Sequence, residues 1–161
     1  MENLIEKISS YHIFNYMIPG MVFLIMCDML CNINLYDDKF INMLVMAYFG
    51  GIIISRISSL ITEKVVYKIW RLKKESYKDY IEASKKDGKI SVLMEDNNMY
   101  RNLCTTMFLL LLFKILQLLN VNKINSNLAI IIILALLTLL FAFSYVKQSK
   151  YIISRIKNSK N

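Results

Sequence analysis

"GGIIISRISSL", residues 50–60, places an arginine, Arg56, inside an apolar run. A soluble amphipathic helix would carry such a charge on its wet face, whereas a membrane helix must pair it, hydrate it or extend it to the headgroups. The sequence on both sides favours the membrane, because residues 40–61 form one apolar run of about 20 residues, the length that crosses the hydrocarbon core. The stretch therefore indicates a membrane span.

The whole chain repeats this pattern. Its 161 residues are 56% hydrophobic and 20% charged, and most charges lie in a central block and at the C-terminal end. Between these blocks, residues 13–33, 103–121 and 128–146 form three further apolar runs of spanning length. We therefore predict an all-α integral membrane protein, a single domain over residues 1–161 with four transmembrane helices.

The distribution of basic residues predicts the orientation. Residues 62–101 hold ten Lys or Arg and residues 147–161 hold five, whereas the links at 34–39 and 120–127 hold one each. Loops rich in Lys and Arg stay in the cytoplasm. We therefore predict a multi-pass protein of the inner (cytoplasmic) membrane with both termini cytoplasmic. Residues 62–101 would form a small helical cytoplasmic cap between helices 2 and 3.

Two opposite charges are predicted at one depth near the outer ends of the spans. At ~1.5 Å per residue, Asp28 and Lys114 both lie roughly 8–10 Å below the outer boundary. They would form a salt bridge or line one wet cavity, and Gln117 would extend the polar stripe. The alternative is that Lys114 extends alone to the headgroups and that Asp28 is protonated.

Arg56 is predicted near the cytoplasmic end of its span, with two interpretations. It can extend to the headgroups, or it can bond to polar groups at the same end of the bundle. The candidates for the second interpretation are His12, Asn15 and Glu63, and Glu63 lies two helical turns further along the same helix.

The block at 62–101 combines positive charge with aromatic side chains. Such a surface could recruit a cytosolic protein, anionic lipid or, less favoured here, nucleic acid. The candidate interaction residues are Lys68, Trp70, Arg71, Lys73, Lys74, Lys85 and Lys86.

Catalytic motifs are missing from the sequence. The chain has one histidine, no Gly-rich phosphate loop and no zinc-protease signature. The three cysteines lie in or beside apolar runs, where they are expected to be buried thiols rather than metal ligands. We therefore predict a protein that is not an enzyme and has no cofactor.

Three stretches carry a resemblance to a known group: "FNYMIPG" at 14–20, "SRISSL" at 55–60 and "DNNMYRN" at 96–102. Together with the four-run layout, the chain resembles small four-span prokaryotic membrane proteins of phage-defence operons. Examples are the membrane subunit of the Kiwa system and the four-span accessory proteins of RNA-targeting CRISPR systems. The resemblance implies a sensor or effector at the inner membrane, often a homo-oligomer.

Two function hypotheses follow from these observations. In the first, the chain is an inner-membrane sensor or effector that self-associates in the lipid bilayer and forms or gates a pore or perturbs the membrane, as in phage defence. Self-association is expected because one chain of four helices does not easily enclose an aqueous path. In the second, it is a membrane scaffold whose basic cap recruits a soluble protein, nucleic acid or anionic lipid.

Overall fold

The computed structural model describes residues 11–33, 35, 39–120 and 125–159, and every regular element in them is helical. Both chain ends and most of the two predicted outer links lie outside the described residues. The elements are a π-helical turn Ile13–Met17, α1 Ile18–Cys31, α2 Phe40–Ile57, a π-helical turn Ser58–Thr62, α3 Glu63–Ile69, α4 Tyr77–Lys86, α5 Lys89–Asn120 and α6 Asn125–Asn158.

The all-α class is confirmed, and three helices are long and apolar enough to cross a membrane. They cover Phe40–Ile69, Lys89–Leu119 and Leu128–Asn158 among the described residues. The first apolar helix, Asn15–Cys31, is shorter. The chain thus has the helices of a multi-pass membrane protein.

The helix that contains "GGIIISRISSL" continues well past its apolar run, as the apolar residues after 61 predict. It ends in a motif that closes its last carbonyls: the Leu72 amide bonds to the Tyr67 carbonyl at 3.0 Å, and the Arg71 amide bonds to the Lys68 carbonyl at 3.4 Å. Arg71 takes the left-handed conformation, with φ 49°. Glycine usually occupies this position, because a side chain is strained there.

The long helices α5 and α6 pack against each other and carry cores at both ends. One core joins α1, α5 and α6 through Cys27, Met107, Leu110 and Leu134. The other joins α4 to the start of α5 and the end of α6, and its members are Ala83, Ile90, Ile152 and Ile156. Helix α4 therefore lies across the ends of the two long helices that are farthest from Lys114.

Helix α1 and the π-helical turn before it cross α2 with their backbones almost in contact. A Cβ added to Gly51 would lie 2.8 Å from the Tyr16 Cα, and one added to Gly20 would lie 2.7 Å from the Ala47 carbonyl carbon. Small residues permit this approach, which is how transmembrane helices commonly associate. A Cβ on the neighbouring Gly50 would meet nothing within 4 Å.

Candidate functional site around Glu63 and Arg101

An ion pair between α3 and α5 is the centre of a cluster of polar contacts inside the bundle. Arg101 Nη1 donates to Glu63 Oε2 at 2.6 Å, and Arg101 Nε donates to Ser58 Oγ at 3.0 Å. The other Glu63 oxygen accepts from Lys74 Nζ at 2.6 Å. The side chains of Arg101 and Glu63 are only 12% and 17% exposed. At this burial their attraction is weakly screened by solvent.

A buried polar seam extends from this pair toward α1. Ser58 Oγ donates to Asn102 Oδ1 at 2.5 Å, and Asn102 Nδ2 donates to the Asn15 carbonyl at 2.7 Å. Beside it, the hydroxyls of Thr62 and Thr105 are 2.7 Å apart. Asn15 lies in one π-helical turn, and Ser58 and Thr62 lie in the other. π-helical turns interrupt the regular helical bonds, which leaves a backbone carbonyl such as that of Asn15 open to a side chain.

The Asn15 carboxamide is the least satisfied part of this seam. It is fully buried, and its nitrogen and oxygen have no hydrogen-bond partner among the described residues. Buried polar groups of this kind are uncommon, because each loses its hydration without compensation. The seam is therefore well hydrogen-bonded at the Asn102 side chain, whereas the Asn15 carboxamide lacks a partner among the described residues.

A cavity of about 290 Å³ opens between this cluster and α4. Glu63 and Arg101 line one wall, and Tyr77, Tyr80 and Tyr145 line others. The Tyr80 hydroxyl keeps its proton at neutral pH, as an ordinary tyrosine does, and can donate a hydrogen bond; burial raises its pKa further. A partly enclosed site with a few convergent polar groups is suited to binding a small polar ligand.

The part of the chain that the structure describes contains no candidate metal-binding site. No three His, Cys, Asp or Glu side chains come together there as metal ligands would.

Lys114 and Gln117 close the C-terminal end of α1 at the opposite end of the bundle. The buried Lys114 ammonium donates to the Leu30 carbonyl, and to Gln117 Oε1 at 3.0 Å. Gln117 Nε2 donates to the Cys31 carbonyl at 2.9 Å. Terminal helix carbonyls have no partner within their own helix and attract positive charge. This geometry favours a packing role over a pore-lining role, while the pairing of Lys114 with Asp28 stays a prediction.

Two of the three groups considered as partners for Arg56 have other side-chain contacts, and the third, Asn15, is bonded through its backbone carbonyl rather than its carboxamide. Glu63 binds Arg101, the Asn15 carbonyl accepts from Asn102, and His12 Nδ1 lies 3.1 Å from the Tyr48 hydroxyl. Arg56 itself is exposed on α2. The single chain therefore directs its guanidinium outward, toward the headgroups or a second chain.

The predicted interaction residues of the block divide into two groups. Lys74 belongs to the ion-pair cluster, Lys86 Nζ donates to the Ser159 carbonyl at 2.8 Å, and Trp70 packs edge-to-face on Phe143 with 5.8 Å between ring centroids. These three have structural contacts of their own. The remaining predicted residues are exposed: Lys68, Arg71, Lys73 and Lys85.

Sequence reasoning missed the side chains that organise this site, Arg101 and Asn102 above all. A signal was present, because Asn97, Arg101 and Thr105 follow one another at four-residue steps, which places them on one helix face. Asn97 uses the same face to pair with Ser149 of α6, at 3.2 Å. A polar stripe leading into an apolar run predicts buried hydrogen bonds between helices.

The all-helical fold of the described residues, with three helices long and apolar enough to span a membrane, is that of a multi-pass membrane protein. Comparisons with protein-family models, with curated proteins and with solved structures find nothing that matches the chain. The resemblance to four-span proteins of phage-defence operons therefore stays a prediction.

Proposed function

We propose that the chain is a four-span protein of the cytoplasmic membrane with both termini inside, and that it acts as a membrane-anchored sensor and scaffold for a cytosolic partner. The three long apolar helices supply three spans, and Asn15–Cys31 supplies the fourth. That helix is about 25 Å long at 1.5 Å per residue, close to the thickness of the hydrocarbon core.

The polar contacts at the two ends of the bundle support this assignment. Asn102 and Lys114 are twelve positions apart on α5, so about 18 Å of helix separates their levels. Between them, the core of Cys27, Met107 and Leu110 is apolar. A layer of this kind between two polar levels suits the middle of a bilayer.

Accessibility labelling tests the topology. A cysteine that replaces Lys39 should react with a membrane-impermeant reagent from outside the cell. A cysteine that replaces Lys85 should react only after the membrane is opened. Both substitutions need a background in which Cys27, Cys31 and Cys104 do not react, which their burial favours. Labelling of residue 85 in intact cells would reject four spans with the block inside.

The scaffold function is supported by one observation: the fold joins two basic segments, the block at 62–101 and the C-terminal part of α6, into one surface. Helix α4 packs through Ala83 onto Ile90 of α5 and Ile152 of α6. This brings the block at 62–101 beside the basic C-terminal part of α6. The surface is thus held in place before any partner arrives, which lowers the entropic cost of binding. Tyr77 and Tyr80 of α4 line the cavity, so a ligand bound there would contact the helix that carries part of this basic surface.

Charge reversal tests recruitment. The protein would be captured from native membranes as wild type, as the double variant Lys68→Glu with Lys85→Glu, and as the control Lys39→Glu, which lies at the other end of the bundle. A cytosolic partner should accompany the wild type and the control and be lost from the double variant. Equal recovery with all three proteins would reject the scaffold function.

A second candidate function, an oligomeric pore, is favoured by Arg56. A guanidinium exposed on the outside of an apolar helix is costly in lipid, and a second chain or a water-filled path would reduce that cost. In liposomes, the wild type should then conduct ions as an oligomer, and Arg56→Gln should alter the conductance. A monomer that conducts nothing would reject the pore.

A further inference from the structure

A basic groove lies where the end of α3 meets the last turns of α6. We use this name for an open groove with a volume of about 440 Å³, which is lined by the cations Arg71, Lys73, Lys150 and Lys157 and by the apolar side chains of Leu72 and Ile153. The cations come from two segments almost 80 positions apart in the sequence. The fold therefore brings together charges that the sequence alone leaves separate.

Among the described residues, one of the four groove cations has a carboxylate partner. Lys157 lies 3.7 Å from Glu75. For Arg71, Lys73 and Lys150, residues 39–120 and 125–159 provide no carboxylate within salt-bridge distance. Like charges gathered beside apolar side chains repel one another and attract anions. The groove therefore suits a ligand with two or more negative charges.

The backbone at Arg71 is a second, independent observation. Its φ of 49° belongs to the position that ends the helix, where glycine is the unstrained choice. Arginine at this position carries a conformational cost and places its guanidinium at the groove. Strained backbone of this kind tends to occur where a side chain has a binding task.

The level of the groove points to the chemistry of the ligand. Trp70 immediately precedes Arg71 and packs on Phe143, and the side chains of Ile69 and Phe143 are exposed apolar groups. Tryptophan and the end of an exposed apolar surface mark the membrane–water interface, where lipid phosphates lie. A guanidinium binds phosphate in a bidentate manner, lysines add point charges, and the nearby Ser154 hydroxyl can donate a hydrogen bond.

We propose that the basic groove binds the phosphate groups of anionic phospholipids. The proposal rests on the proposed function only in taking this end of the bundle as a membrane boundary. Soluble phosphates share the chemistry, so the experiment must separate the two sources. Full-length protein would be tested for retained lipid by native mass spectrometry, after reconstitution with phosphatidylglycerol or with phosphatidylcholine. Glycerol phosphate and inorganic phosphate would be tested as soluble competitors.

Phosphatidylglycerol should be retained in preference to phosphatidylcholine. Each of Arg71→Gly and Lys150→Gln should weaken this binding about five-fold, the typical effect of one cation near an anionic surface. Lys78→Gln is the control, because Lys78 is an exposed lysine of α4 outside the groove. Competition by glycerol phosphate at equal strength would overturn the lipid assignment, as would equal lipid retention by all variants.

Arg71→Gly separates binding from folding. Glycine accepts the left-handed conformation, so this variant should melt at or above the wild-type temperature while it loses lipid. A fall in melting temperature together with the loss of lipid would show that Arg71 acts structurally and would overturn its assignment. Recruitment of a cytosolic partner is measured separately, with Lys68 and Lys85. Lipid binding without partner capture would therefore reject the scaffold function alone.

Discussion

Gly51→Ala should destabilise the crossing of α1 and α2, while Gly50→Ala should not. The new Cβ at position 51 would lie 2.8 Å from the Tyr16 Cα and closer still to its carbonyl group. Carbon atoms in contact are ordinarily about 3.5–4.0 Å apart. The backbones must therefore separate by about 1 Å, because a backbone carbonyl cannot rotate away as a flexible side chain can.

The magnitude follows from two opposing contributions. Overpacking typically costs about 1–3 kcal/mol. Alanine in place of glycine favours a helix by up to about 1 kcal/mol, and at position 50, where the added Cβ meets nothing, only this gain applies. The helix gain is common to both variants and cancels, so they should differ by the overpacking cost, about 1–3 kcal/mol in the free energy of unfolding.

Reversible unfolding in mixed micelles measures this difference. A denaturing detergent would be titrated into mild detergent, with helicity from circular dichroism and the fluorescence of Trp70 as two probes. Gly51→Ala should unfold at a lower fraction of denaturing detergent than the wild type, and Gly50→Ala at the same fraction or a higher one. Coincident curves for the two variants would refute the close crossing of the two backbones.

Three further predictions concern charged groups. Glu63→Gln should lower the free energy of unfolding by about 1–3 kcal/mol, because the Arg101 guanidinium stays charged without its carboxylate partner. The double variant Glu63→Gln with Arg101→Leu should regain part of the lost free energy in the same detergent titration. Arg56→Lys should leave the unfolding of the monomer unchanged within about 0.5 kcal/mol, because the side chain is exposed, and a larger loss would show a specific contact. The Arg155 side chain at 2.6 Å lowers the pKa of Asp87, so their contact should stabilise the fold at pH 7 and lose its effect as the pH falls through that lowered value. Asp87→Asn should therefore melt below the wild type at neutral pH and converge with it in strong acid.

The helices themselves were predictable because their signals are local. Each long apolar run became part of a helix, and the helix with "GGIIISRISSL" continues to Ile69, as the apolar residues after it predict. Helix α4 ends at Lys86, two positions before Gly88, and glycine is a common stop residue at the end of a helix. Run lengths and stop residues are properties of a few neighbouring positions, so no tertiary contact is needed to infer them.

The partners of the buried polar groups were not predictable. The position of a residue along its helix predicts its depth in the membrane, but not which neighbouring helix its side chain faces. Similar depth suggested a pair of Lys114 with Asp28, which stays a prediction, but it gave no indication that the ammonium would also reach the Leu30 carbonyl. Backbone carbonyls at a helix end are acceptors that side-chain patterns do not display. The π-helical turn that offers the Asn15 carbonyl to α5 has no sequence signature of its own.

The angular position of Arg56 on its helix shows which way the arginine in "GGIIISRISSL" faces. The buried residues of this helix are Ala47, Gly51, Ile54 and Ser58, at steps of four, three and four positions. Three of the four are small, as expected where helices approach closely. Arg56 is two positions from both Ile54 and Ser58, and at about 100° per residue it lies on the opposite side of the helix. A stripe of small residues thus marks the inward face, and the charge between its members faces outward. The cost of that charge must then be met by headgroups or by another chain, because the Arg56 side chain does not face the interior of this bundle.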